Sequence, residues 1–130
     1  MKIFFDTNVI ISSFLTQGIS YEVIMDAVIH HQVYYSEFLV KEVEKVLKDK
    51  FCFSSEFVQE IKNFLKKSFI KGKTSKSILH ITSDNIDNQL LSDALNSQVD
   101  LFITGDKELL KIKKIHQIKI ISSSQYWFLS

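Results

Sequence analysis

Arginine and proline are both missing from this chain, which has one cysteine and three glycines in 130 residues. Without arginine there is no arginine finger and no bidentate guanidinium clamp on a phosphate. The lone Cys52 cannot form an internal disulfide. Its place between Phe51 and Phe53 reads as a buried structural thiol. No stretch approaches the roughly 20 apolar residues of a membrane span. Asp6 interrupts the apolar start, so no signal peptide is read there. A cytoplasmic setting is expected. The scarcity of glycine also removes a P-loop: Lys71-Gly72-Lys73-Thr74 needs a glycine five residues before Gly72, where Lys67 stands. His30, His31, His80 and His116 have no metal-ligand spacing and no cysteine nearby, so they are assigned to surface or packing.

What is present is ordinary in amount and uneven in placement. A hydrophobic share of 45% and a charged share of 24% fit one folded domain over residues 1–130. Net charge is +1, yet residues 1–61 hold five lysines against nine acids, and residues 62–130 hold eleven against six. Such asymmetry can set a basic face beside an acidic cleft.

Strand and helix patterns alternate along the chain. Ile3-Phe4-Phe5 reads as a strand, Asn8 to Leu15 as a short helix, and Ile19 to His31 as an amphipathic helix. Val33 to Tyr35 follows as a strand. Ser36 is placed to cap a helix reaching about Lys50, with Leu39, Val43, Val46 and Leu47 at helical spacing. Another helix spans about Glu56 to Phe69, then a lysine-rich loop to Lys76, then a third strand over Ile78 to Ile81. Asp84 caps a helix over Asn85 to about Ser97. Leu101 to Thr104 is a fourth strand, Lys107 to Ile112 a short helix, Lys119 to Ile121 a last strand, and Gln125 to Leu129 a last helical turn. This order predicts an α/β fold with a parallel sheet covered on both faces. In such folds a ligand site lies beyond the carboxyl ends of the strands.

That rule selects residues. Asp6 follows the first strand, and Asp106 follows the fourth after Thr104-Gly105, where Gly105 is expected to turn the chain tightly. Glu42 borders the apolar stripe of its helix, between Leu39 and Val46. Asp87 flanks the apolar face of its own helix, in the first turn. Two carboxylates ~4.5 Å apart at an effective dielectric near 20 repel by about 3–4 kcal/mol. Divalent cations with oxygen ligands, Mg²⁺ or Mn²⁺, relieve that repulsion. On a phosphate substrate such a site supports hydrolysis of a phosphodiester. Each acid also has a structural reading. Asp6 and Asp106 can be helix N-caps, Asp84 with Asp87 an acidic capping box, and Glu42 a solvated helix residue. A phosphatase or receiver domain also uses strand-end aspartates, but the phosphatase pattern wants a second Asp where Asn8 stands.

Four segments together resemble the motifs of the PIN domain family, and its VapC-like toxin branch in particular. They are Phe5-Asp6-Thr7-Asn8-Val9-Ile10-Ile11-Ser12, Ser36-Glu37-Phe38-Leu39-Val40-Lys41-Glu42-Val43, Asp84-Asn85-Ile86-Asp87-Asn88-Gln89-Leu90-Leu91, and Asp100-Leu101-Phe102-Ile103-Thr104-Gly105-Asp106-Lys107. The resemblance covers nearly the whole chain. It implies five parallel strands in the order 3-2-1-4-5 and Mg²⁺- or Mn²⁺-dependent cleavage of RNA. It carries the metal-binding, catalytic role onto Asp6, Glu42, Asp87 and Asp106, with Asn8 and Thr104 as polar support. In the third segment Asn85 and Ile86 depart from the more acidic, proline-containing family pattern. The third ligand is therefore Asp84 or Asp87, and helix-face geometry favours Asp87. The resemblance further implies a small antitoxin partner and a homodimer. A nuclease of RNA processing without a toxin role, or a non-catalytic nucleic-acid-binding module, would share these motifs. Lys73, Lys76, Lys107 and Lys111 are candidates to contact RNA phosphates. Asp100 precedes its strand and reads as structural.

Overall fold

A computed structural model describes residues 1–129. Three short strands of apolar residues form its centre. β1 (Lys2–Phe5) pairs in parallel with β2 (Gln32–Tyr35) on one side and with β4 (Leu101–Ile103) on the other. Ile3, Phe4, Phe5, Phe102 and Ile103 are wholly buried, as strands covered on both faces require. Phe4 lies opposite Phe102 in register, and their rings stack with centroids 5.9 Å apart and planes 9° apart.

Helices cover both faces. α1 (Thr7–Thr16) and α2 (Ile19–His30) lead from β1 to β2, and α3 (Glu37–Asp49) and α4 (Ser55–Ser68) lead from β2 to β3 (Ile70–Lys71). α3 starts where the Ser36 side chain accepts from Leu39 N at 3.2 Å, and it buries Leu39, Val40, Val43 and Leu47. α5 (Asn85–Asn96) precedes β4. After β4 come α6 (Lys107–Ile112), β5 (Lys114–Ile115), β6 (Ile118–Ile121) and α7 (Ser123–Tyr126). Spatially the sheet runs β3-β2-β1-β4-β6-β5. The five parallel strands keep the expected 3-2-1-4-5 sequence. A sixth, antiparallel strand, β5, is added at the edge. Its hairpin turns through His116 at φ 51° and follows Lys113 at φ 68°. No glycine or asparagine marks that turn, so the sequence pattern hid it.

The third strand is displaced from its expected place. Ile78 to Ile81 is not a strand; β3 lies earlier, pairing Ile70 with Tyr34 and Lys71 with Tyr35. Side chains of α5 explain this, because they take the donors a strand would have used. Leu79 N donates to Ser92 Oγ at 2.8 Å, and Ile81 N and Thr82 N donate to Asn88 Oδ1 at 3.0 and 2.9 Å. β3 itself ends against Gly72, whose N–H donates to Tyr35 O at 2.7 Å. A Cβ at Gly72 would stand 2.2 Å from Ser97 Oγ, so a larger residue there would make the Ser97 side chain turn away. Two smaller expectations also change. Cys52 is exposed, at φ 52°, because Phe51 and Phe53 stack on each other rather than over it. The last helical turn begins at Ser123, because Ser122 and Gln125 form a reciprocal capping box.

Candidate active site

Three helices begin at the carboxyl-end rim of the central strands, and each has an aspartate as its N-cap. Asp6, at the end of β1, accepts from Thr7 N at 2.8 Å. Asp106, after β4, accepts from Glu108 N at 2.9 Å. Asp84 accepts from Ile86 N and Asp87 N at 2.8 and 3.0 Å at the start of α5. The free N–H groups and dipoles of helix starts favour negative charge, so the fold tolerates acids here that it would otherwise drive apart. The cap reading of Asp6, Asp84 and Asp106 is what the structure shows.

Thr104 ties two of these corners together. Its hydroxyl, fully buried, donates to Asp6 Oδ2 at 2.7 Å and accepts from Asp106 N at 3.0 Å. Asp6 N continues the ladder by donating to Ile103 O at 2.9 Å. Gly105 contributes less than expected. It is exposed, no glycine has a positive φ, and a Cβ there would meet nothing within 4 Å. Thr104 builds the corner instead.

The electrostatics of the rim are strained. Burial raises the Asp6 carboxyl above the ordinary range, the bonds from Thr104 and Thr7 lower it, and the charges of Asp106 and Asp84 raise it again. Asp87, in the first turn of α5, accepts no hydrogen bond among the described residues. Burial first, then the charges of Asp6, Asp84 and Asp106, push it up to about 7. Asp6, Asp84, Asp87 and Asp106 thus form one electrostatic group.

Glu42 does not join that group. It is half-buried on α3, has no hydrogen bond or ion pair among the described residues, and is absent from the charges acting on Asp6 and Asp87. Asp84 is thus one of the charges acting on Asp6 and Asp87, and Glu42 stands at the border of the buried face of its own helix. That face is set by Leu39, Val43 and Leu47. Val46, one turn later, shares a cavity of about 220 Å³ with Asn8 and Ser12, so this flank of α3 lies beside the start of α1. Among the described residues no group of three or more Asp, Glu, His or Cys side chains is arranged so that it could hold a metal ion as it stands.

Asn8 is exposed and borders that cavity and a second one of about 300 Å³, shared with Thr104, Gly105 and Ser122. The expected lysines scatter. Lys107 is exposed at the first position of α6, next to Asp106. Lys111 is exposed and pairs with Glu108 on the same helix at 3.2 Å. Lys73 and Lys76 lie on the segment after β3, where Thr74 Oγ1 accepts from Phe38 N at the start of α3. One buried acid was missed altogether. Asp93, wholly buried in α5, accepts from Ser36 Oγ, Ser75 N and Gln89 Nε2 at 2.6, 2.6 and 2.8 Å. Its spacing from Leu90 and Ala94 already put it on the apolar face, which was the available signal.

A model of the PIN domain matches residues 2–108. The chain belongs to the PIN domain family. Members of that family are generally nucleases and typically use divalent metal ions. No curated protein matches in sequence. Among solved structures, the chain is similar to one described as the crystal structure of VapBC2 from Rickettsia felis bound to a DNA fragment from their promoter, with a TM-score of 0.68 and 15% identity over 94% of this chain and 98% of that one. At that identity the likeness concerns the fold. In this PIN domain no helix among the described residues is long and apolar enough to cross a membrane.

The donor chemistry of the rim fits a divalent metal of the kind the PIN family uses. The available ligands are hard carboxylate oxygens, which suit Mg²⁺ or Mn²⁺. Burial first, and then repulsion from Asp6, Asp84 and Asp106, holds Asp87 near 7, and a cation would relieve the repulsion. The Thr7 hydroxyl, beside Asp6, is buried and has no partner among the described residues.

Proposed function

We propose that this PIN domain is a metal-dependent endoribonuclease that hydrolyses RNA phosphodiester bonds and acts as the toxin of a cytoplasmic toxin–antitoxin pair. The observation that carries the reading is the group of four aspartates at the strand ends, with Asp87 pushed up to about 7 by burial and by the charges of the other three. Asp6, Asp87 and Asp106 are the proposed metal ligands. Asp87 is preferred over Asp84 because Asp84 is held as the cap of α5 by the N–H groups of Ile86 and Asp87, whereas Asp87 accepts no hydrogen bond among the described residues and is burdened by burial and by three neighbouring charges that a cation would offset. Glu42 is proposed to complete the set from the flank of α3.

A bound Mg²⁺ or Mn²⁺ would polarise a phosphoryl oxygen and make a bound water acidic enough to supply hydroxide at neutral pH. The chain's own residues prepare this. Thr104 holds Asp6 by its Oδ2, fixing one carboxylate and, through Asp106 N, the backbone of another. Asp87 gives up its proton near neutrality, which would leave its carboxylate free for the cation. Asn8, exposed on the adjoining cavity, is proposed to support the substrate phosphate or the metal-bound water. The antitoxin partner and a homodimer are proposed from the likeness to VapC-like proteins. The exposed Ile29, Trp127 and Phe128 offer apolar surface for such contacts.

The test is cleavage of single-stranded RNA with and without Mg²⁺ or Mn²⁺, comparing the wild type with Asp6→Asn and Asp106→Asn. Loss of cleavage in chelator and in both variants supports the proposal. Unchanged cleavage in either circumstance rejects it.

A further inference from the structure

Beyond the rim, an unneutralised basic groove leads away along the edge of the sheet. Lys113, Lys114 and Lys119 line a cavity of about 570 Å³ together with Ile121, Ser122 and Gln125. All three lysines are exposed, and none is in an ion pair among the described residues. Lys114 and Lys119 are direct register partners across the antiparallel pair of β5 and β6. Like charges placed opposite each other destabilise such a pair, and neither lysine is in an ion pair among the described residues. Lys113 precedes β5 at φ 68°, an uncommon conformation for a side-chain-bearing residue.

Shared lining residues connect this groove to the aspartate rim. Thr104, which donates to Asp6, lines the cavity of about 300 Å³ that Ser122 also lines, and Ser122 borders the basic groove. From Ser122 back to Lys119 is three residues of strand, about 10 Å. The middle cavity is walled by Asn8, Ser12, Ser20 and Ser123, whose side chains both donate and accept hydrogen bonds. We propose that these three sites form one track for single-stranded RNA: the scissile phosphate at the aspartates, an unstacked nucleotide in the serine-lined cavity, and the following phosphates on Lys113, Lys114 and Lys119. A single strand fits because only an unpaired nucleotide can be splayed into a cavity. Hydroxyl and amide groups there can also read a ribose 2′-OH. This inference rests on the ribonuclease reading of the rim.

The test measures binding apart from cleavage. Anisotropy of a labelled single-stranded RNA is followed in EDTA across a salt series, for the wild type and for Lys113→Gln/Lys114→Gln/Lys119→Gln. Each phosphate neutralised on a single strand contributes about −0.7 to the slope of log affinity against log salt, so the triple variant should flatten that slope by about 2. Affinity should fall at least about tenfold, KM should rise, and kcat at saturating RNA should stay within about twofold. The control variant Lys45→Gln/Lys66→Gln/Lys67→Gln removes the same charge from α3 and α4 and should keep the wild-type slope. Circular dichroism checks the fold of both, and relief of the Lys114–Lys119 opposition should leave the groove variant at least as stable as the wild type. An unchanged slope in the groove variant, or equal loss in both variants, overturns the track while leaving the nuclease reading intact. Tighter binding of duplex DNA than of single-stranded RNA through these lysines overturns the choice of occupant. A wild type that cleaves no RNA with any divalent metal overturns the reading of the rim itself.

Discussion

Asp6, at the end of β1, and Asp93, on α5, are both buried aspartates, yet their surroundings are opposite in kind. Asp93 is met by three donors, from Ser36, Ser75 and Gln89, each within 2.8 Å. Asp6 is met by two donors and by the charges of two further aspartates. A buried acid whose oxygens are matched by neutral donors holds structure together. A buried acid set among other acids is left with a charge that the protein alone does not balance. Exposure does not distinguish the two, since both are under 5% exposed; the sign of the neighbours does.

Exchanging each acid sharpens the contrast. Asp6→Asn should lower RNA cleavage by on the order of 10²–10³, the range seen when a preorganised catalytic group is removed. Its thermal midpoint in chelator should be unchanged or higher, because Asn also caps a helix and one repelling charge is gone. Asp93→Ala should do the reverse. It strands Ser36 Oγ, Ser75 N and Gln89 Nε2, and should cost about 3 kcal/mol in denaturant unfolding, at about 1–3 kcal/mol per unmatched buried group. If Asp93→Ala left stability intact, or Asp6→Asn unfolded the protein, the distinction between the two acids would be wrong.

Acidity gives a third and smaller effect. Asp87 has its folded pKa raised from 3.8 to about 7. Between those values the folded chain keeps a proton that the unfolded chain releases, so metal-free stability falls as pH rises through that window and levels off above about 7. Asp87→Asn should flatten the profile of thermal midpoint against pH measured in chelator. Added Mg²⁺ should restore stability most above pH 7, where no proton competes for the site. The smallest effect is expected at Gly105→Ala. It has open space and no positive φ, so stability should stay within about 0.5 kcal/mol. A large loss there would return the corner to the glycine and take it from Thr104.

The sequence made the central strands legible because Ile3-Phe4-Phe5 and Leu101-Phe102-Ile103 are apolar without interruption, a pattern that only strands covered on both faces sustain. The aspartates at their ends followed from the same rule, and Asp6, Asp87 and Asp106 do come into one electrostatic group. What stayed hidden depended on side chains reaching across the fold. Ile78 to Ile81 has a strand's composition, but Ser92 and Asn88 capture its N–H groups. β5 is two residues long and turns through a histidine, which no local rule marks. Glu42 was placed correctly at the border of its helix face, but a border position does not fix how far it lies from the other acids. Asp84 was seen as a cap and weighed as a ligand; that it loads charge onto Asp87 is a matter of distance, which spacing along the chain does not give.

Both margins of the sheet are two-residue strands, Ile70–Lys71 on one side and Lys114–Ile115 on the other, and each includes a lysine. Edges so short and so charged give an incoming strand almost no template to zip onto. The molecule is thereby guarded against fibre-like polymerisation when it is crowded, and any protein that captures it must do so through helices and loops rather than by extending the sheet.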